Sequence, residues 1–171
     1  MTLPVLTGQR VRLVPASRDL ARAVVEGRGL EAALAPLVAG PGWPHADTGD
    51  AVRPLAEHGG DHGCWLVVTG GSEVIGDVGW FGPPDAEGDC EIGYGVAVPS
   101  RRLGLGREAV ALLLTWVEQQ PGVRRTTAEA RVGNEASLRL LAGLGFTSDG
   151  TGAPPYVRMV RPVTGRSNGP G

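Results

Sequence analysis

The residues with the most chemical content in this 171-residue chain run from Tyr94 to Ala109, Tyr-Gly-Val-Ala-Val-Pro-Ser-Arg-Arg-Leu-Gly-Leu-Gly-Arg-Glu-Ala. The pattern reads as a strand ending at Val98, a short loop and the start of a long helix. Glycines at 104 and 106 let backbone N–H groups turn toward one point, and the helix N-terminus adds partial positive charge there. Arg101, Arg102 and Arg107 place three full charges around the same point. Arg101, Arg102, Leu103, Gly104, Leu105, Gly106 and Arg107 therefore form a candidate site for an anion with several oxygens, such as a pyrophosphate. The same residues also fit a tight turn with solvated arginines. The spacing Gly104-x-Gly106-x-x-Ala109 matches a dinucleotide fingerprint, with Glu129 near the acidic position. Five residues, Pro99 to Leu103, nevertheless separate the strand from the first glycine, and the 65 residues after Gly106 are too few for the parallel strands such a domain needs.

Upstream, strand alternation puts Glu91, Gly93 and Gly95 on one face and Cys90, Ile92, Tyr94 and Val96 on the other. A carboxylate beside two glycines leaves room for a substrate and can accept a proton; a solvated or ion-paired residue reads the same way. Downstream, Asn134-Glu-Ala-Ser-Leu-Arg-Leu-Leu-Ala-Gly-Leu-Gly-Phe146 opens a helix on an Asn cap, with Ser137 in its first turn. Asp47, Asp50 and Glu91 together favour a cationic partner. His45, His58 and His62, set among Gly, Pro and Asp, read as surface histidines, and Trp43 and Tyr94 read as core.

The elements that must position these groups follow from periodicity and punctuation. Gln9 to Pro15 alternates as a strand. Ser17 caps a helix that Gly27 ends; Glu31 to Val38 and Asp47 to Glu57 are further helical patches, the last interrupted by Pro54. Cys64 to Thr69 and Glu73 to Phe81 form a hairpin about Gly70-Gly-Ser, and Asp89 to Val98 extends it as an antiparallel meander. Leu103 to Gln120 is the strongest helix, followed by a strand at Arg124 to Ala130, a helix at Asn134 to Leu144 and a strand at Pro155 to Arg161. The sum is an α/β domain with a mixed sheet over residues 1–162, and residues 163–171 read as a disordered tail.

Composition bounds the rest. With 42% hydrophobic and 20% charged residues, the chain is the size of one soluble domain, and its net charge of -2 excludes binding to nucleic acid by overall charge. All sixteen cations are arginine, which coding bias explains. Cys64 and Cys90 form no metal set and read as buried thiols. A signal peptide is absent from the N-terminus, and the longest apolar stretch is about half a bilayer span, so the expectation is a cytoplasmic protein with no membrane partner.

Taken together, Arg101-x-x-Gly104-x-Gly106, then Asn134-x-x-Ser137 running to Gly145-Phe146, resemble the GNAT superfamily of acetyl-CoA-dependent N-acetyltransferases. Glu91-Ile-Gly-Tyr before the loop and the serine at 137 are most similar to the branch of ribosomal-protein N-terminal acetyltransferases. The resemblance covers roughly Gln9 to Arg161 and implies a mixed, mostly antiparallel sheet whose fourth and fifth strands splay around a pantetheine arm. It implies acetyl-CoA as cosubstrate, no metal, and direct attack on the thioester by a primary amine, either a protein N-terminus or a small molecule. On that basis the backbone of Val96 and Val98 holds the pantetheine, Arg101 to Arg107 cradle the pyrophosphate, and Asn134 reaches the cosubstrate. Glu91 would take the amine proton, the Val96 N–H would stabilise the oxyanion, and Ser137 would protonate the thiolate. This chain departs from the family where its proline stands at 99 rather than 98, where Arg102 replaces a frequent glycine, and where Leu141 replaces a frequent tyrosine. The alternative is a non-catalytic CoA-binding module of the same fold. Relatives often pair, so the resemblance allows a homodimer.

Overall fold

A computed structural model describes residues 3–59 and 63–163; His62 and the tail from residue 164 lie outside them. Strands β1 (Leu6–Thr7) and β2 (Val11–Pro15) precede helices α1 (Arg18–Glu26) and α2 (Leu30–Leu34), then strand β3 (Val38–Ala39) and helix α3 (Thr48–Glu57). Strands β4 (Gly63–Thr69), β5 (Glu73–Trp80) and β6 (Asp89–Val96) form the meander. They are followed by α4 (Leu105–Val117), β7 (Arg125–Arg131), α5 (Glu135–Gly143), β8 (Thr147–Ser148) and β9 (Tyr156–Pro162). The expected α/β architecture is present: the sheet runs β1-β2-β4-β5-β6-β7-β9-β8, antiparallel except where β6 meets β7 and where short β3 joins β5.

Local chemistry accounts for most boundaries. The Ser17 hydroxyl accepts the Leu20 N–H at 3.1 Å, and Gly27 closes α1 at φ 67°, a left-handed conformation that glycine adopts without Cβ strain. Four features depart most from the sequence reading. The second helical patch stops at Leu34, and Val38 pairs with Glu73 instead. Helix α3 runs through Pro54, whose missing N–H removes only one intrahelical bond. Strand β6 stops at Val96, because Pro99 cannot donate to a ladder and its fixed φ suits the 3-10 turn Val98–Ser100. Helix α4 starts at Leu105.

The sheet buries both faces over its centre. Under α4, Leu13, Trp65, Val67, Val78, Ile92 and Ala128 pack against Ala109, Val110, Leu113 and Val117, and Trp116 meets Trp65 and Trp80 edge to face at 4.9 and 5.0 Å. On the opposite face Leu66, Val68 and Val74 pack against Leu20, Leu34 and Trp43. Both cysteines are buried and unpaired, and burial raises both thiol pKa values, which disfavours the nucleophilic thiolate.

Candidate active site

The site is built around β6, whose two halves are paired differently. Asp89 to Ile92 pair with Arg125 to Ala128 of β7, and the pairing ends there although both strands continue; the splay thus falls between β6 and β7, the fourth and fifth strands once two-residue β1 and β3 are set aside, while β4 and β5 pair. From Gly93 to Val96 only β5 is alongside, in the register Gly79↔Gly93, Asp77↔Gly95 and Gly76↔Val96. The Glu91 carbonyl accepts from Phe81 and the Ala97 N–H donates to Ile75, so the odd-numbered residues turn their backbone groups to β5. Alternation then turns the Tyr94 and Val96 N–H groups into the splay. The resemblance placed pantetheine contacts at both Val96 and Val98. Val98 lies in the 3-10 turn that follows the strand, with its carbonyl accepting the Arg101 N–H, and the Val96 carbonyl accepts Arg101 Nε at 2.8 Å.

At the end of β6 the chain enters the arginine- and glycine-containing loop. Arg102 (φ 63°) and Gly104 (φ 77°) are both left-handed. Arg102 thus occupies a conformation that glycine adopts freely and that costs an L-residue on the order of 1 kcal/mol. Between Arg102 and Arg107 no backbone N–H has an acceptor among the described residues, and Gly104 provides no side-chain cap to α4. Consecutive free donors at a helix N-terminus are an anion cradle. A Cβ on Gly106 would lie 3.1 Å from Val96 Cγ2 and 3.7 Å from Leu140 Cδ1, so its hydrogen keeps open the gap between β6 and α5.

The arginine side chains do not all converge on the loop. Arg107 Nη2 donates to the Gly143 carbonyl at 2.9 Å and so serves the C-terminus of α5. Arg10, which the sequence reading passed over, donates through Nη1 to the Leu103 carbonyl at 2.8 Å and through Nε to Glu108 at 3.0 Å, bracing the loop from the residue just before β2. Glu108 also accepts the Arg10 N–H at 2.7 Å; these bonds hold its pKa below the usual carboxylate value.

Across the splay, Asn134 caps α5, its Oδ1 accepting the Ser137 N–H at 3.2 Å. Ser137 Oγ lies 2.6 Å from the Tyr94 hydroxyl. Tyr94 packs against the core as expected, but its polar end reaches α5, a pairing that no spacing in the chain announces. Burial raises the Tyr94 pKa, and the bond to Ser137 opposes that. Leu141 is fully buried.

On the other face, the room expected over the two glycines beside Glu91 is filled. A Cβ on Gly93 would lie 2.9 Å from the Phe81 ring, and one on Gly95 would lie 2.3 Å from the His45 ring. Glu91 itself is exposed, and partial desolvation with Glu129 nearby raises its pKa against the pull of Arg158. Beyond Phe81 a pocket of about 370 Å³ opens between α3 and β4 to β6, lined by His45, Asp47, Asp50, Asp77, Trp80 and Phe81 among others; Glu91 does not line it.

His45 is therefore not the surface histidine its neighbours suggested: only 12% of its side chain is exposed, and Nε2 lies 3.2 Å from Asp77 Oδ2. Asp77, 2% exposed, also accepts from Trp43 Nε1 at 2.9 Å and from Thr48 Oγ1 at 2.8 Å. The bond to Asp77 raises the His45 pKa, burial opposes it, and the charges of Asp77 and Asp47 add to the rise. The advance signal was an aspartate within Gly76-Asp77-Val78-Gly79 on the central strand β5, where burial demands partners.

Residues 10–147 match the profile of the acetyltransferase (GNAT) domain. The uncharacterized N-acetyltransferase YjdG of Bacillus subtilis (strain 168) is 32% identical over 111 residues, which are 61% of this chain and 66% of that protein. The chain thus spans just under two thirds of that relative's length. Among solved structures, the ribosomal-protein-S5-alanine acetyltransferase of Vibrio fischeri superposes with a TM-score of 0.67 at 19% identity, covering 95% of this chain and 98% of that one. RimL, a ribosomal L7/L12 alpha-N-protein acetyltransferase in complex with coenzyme A, superposes with a TM-score of 0.66 at 19% identity, covering 94% and 98%.

Proposed function

Because the chain belongs to the GNAT acetyltransferase family, we propose that it moves an acetyl group from acetyl-CoA to a primary amine in a ternary complex. The observation that carries this reading is the coincidence of three openings. They are the splay after Ile92, the unpaired N–H groups from Arg102 to Arg107, and the acidic pocket at the near side of β6.

Acetyl-CoA supplies the activated thioester, and the chain's own groups hold and serve it. The amides of Arg102, Leu103, Gly104, Leu105, Gly106 and Arg107 hold the pyrophosphate, with the Arg101 and Arg102 charges beside them. The Tyr94 and Val96 N–H groups hold the pantetheine edge and the oxygen on which negative charge develops. Asn134 sets the first turn of α5 so that Ser137 faces the leaving sulfur, and the Tyr94 hydroxyl behind it restores the serine proton. Leu141 has no proton to give, and this hydroxyl pair stands in for the tyrosine other family members carry there.

The amine approaches as an ammonium ion, which Asp47 and Asp50 in the pocket favour, with Glu91 adding negative charge on the same face of the sheet. It must lose a proton before its lone pair can attack. An exposed pocket of this kind admits a small amine or the end of a peptide, and the ribosomal-protein acceptors named for the two solved neighbours support the second. The test is CoA thiol release from acetyl-CoA with a panel of alkylamines, polyamines and N-terminal peptides. Release is expected only when an amine is added. Acetyl-CoA binding without amine-dependent release favours the non-catalytic CoA-binding module instead.

A further inference from the structure

We propose that His45, held by Asp77, is the group that takes the proton from the acceptor amine. The inference rests on the acetyl-transfer reading and assigns its proton acceptor.

Two independent pieces of geometry carry it. First, the His45 ring lies directly on Gly95, in the half of β6 that has left β7, so it stands over the strand edge where the thioester carbonyl is to be held. Only a glycine at 95 permits this contact, since a Cβ there would lie 2.3 Å from ring Cε1 and Nε2. Second, Asp77 is a buried carboxylate whose other partners, Trp43 and Thr48, are neutral donors. Left alone, such a charge is costly, and the adjacent imidazole compensates it when it takes up a proton. The Nε2 contact at 3.2 Å is off the donor axis, and Nε2 has no other partner among the described residues. A proton on Nε2, the nitrogen nearest Asp77, leaves the lone pair of the neutral ring on Nδ1. Thr48 locks the arrangement: its hydroxyl donates to Asp77 and accepts the backbone N–H of His45 at 3.1 Å.

Glu91 is less well placed. The Phe81 ring over Gly93 lies between it and His45, and Glu91 does not line the pocket through which the amine comes.

The ammonium gives one proton to His45 Nδ1, and the nitrogen lone pair then bonds to the thioester carbon as the C–S bond breaks. The nitrogen loses a second proton as the amide forms. One of the two protons ends on the thiolate sulfur and the other in solvent.

The charged and titratable groups facing His45 are Asp77 from β5, Asp47 and Asp50 at the start of α3, Arg101 after β6, and the neutral Tyr94 and Cys64. The carboxylates outweigh Arg101, so the imidazole titrates above 6.5.

The experiment compares kcat/KM against pH, by CoA release, for wild type, His45→Ala, Glu91→Gln and Asp77→Asn, with circular dichroism as the folding control. His45→Ala is expected to lose at least 100-fold and the acidic limb of the profile, to keep its affinity for acetyl-CoA, and to regain rate on addition of free imidazole. Asp77→Asn moves the limb to lower pH. A limb that survives in His45→Ala and vanishes in Glu91→Gln overturns the proposal. Independently of turnover, NMR follows the His45 imidazole in the acetyl-CoA complex while benzylamine is added. Its signals are expected to shift, and their failure to do so overturns the assignment even in a protein that acetylates none of the amines tried. Absence of all amine-dependent release, with a responsive His45, instead overturns the acetyl-transfer reading.

Discussion

Helices α1 and α5 begin on a side-chain cap, whereas α4, the longest helix, begins on none. Ser17 and Asn134 each accept an N–H of the first turn, but Gly104 offers nothing to the amides that follow it. A cap contributes about 1 kcal/mol. The burial of Val110, Leu113 and Val117, each worth roughly 1.5–3 kcal/mol, outweighs its loss. Helix α4 is held by its apolar side, so its N-terminus is free to face a ligand. Even Glu108, an acid in its first turn, turns to the backbone N–H groups of Arg10 and Val11 rather than to the amides of its own helix. The difference teaches that α4 leaves its first-turn amides without an acceptor among the described residues, whereas α1 and α5 each commit one first-turn amide to a side chain.

Three substitutions put that contrast at risk. The largest effect belongs to Gly106→Val, whose branched side chain must displace Val96 and fill the gap beside the loop. Acetyl-CoA affinity, read by titration calorimetry, is expected to fall at least 100-fold, about 2.7 kcal/mol, in a protein that still folds; an unchanged Kd breaks the cradle assignment. Ser17→Ala is the converse, lowering the unfolding free energy in urea by about 1 kcal/mol while leaving acetyl-CoA affinity alone. Smallest is Glu108→Gln. The Glu108 pKa is depressed from 4.5 in the folded protein, so its stabilising contribution is complete above 4.5 and lost as pH falls through the lower folded value. The substitution is expected to flatten that part of the acid stability curve, by less than the Ser17 effect, and a curve unchanged below pH 4.5 dissociates Glu108 from the bracing of β2.

Much of the fold and part of the site were legible in the chain. Short-range rules placed the Ser17 and Asn134 caps, the Gly70-Gly-Ser hairpin and the loop that opens α4, because a turn, a cap and an amphipathic face are each written within a few residues. The expectation that the strand reaches Val98 failed where the local rule ran out: the 3-10 turn around Pro99 ends it two residues early, at Val96. Arg107 showed the same limit, since proximity in sequence to the loop did not tell which carbonyl its guanidinium would reach.

By itself, the sequence determined the order of elements, the glycine-opened loop, the residues on each face of β6 and the family resemblance. Only the tertiary structure decided that β6 parts from β7 after Ile92, that Tyr94 meets Ser137, and that His45 rests on Gly95 against Asp77. The physical reason is range. Caps and alternation act over three or four residues, whereas Tyr94 and Ser137 are 43 apart in the chain, and the Trp43 and Thr48 donors of Asp77 are 34 and 29 away from it. Their partnership is set by burial, where a polar group must find whatever partner the packed sheet and helices bring within reach.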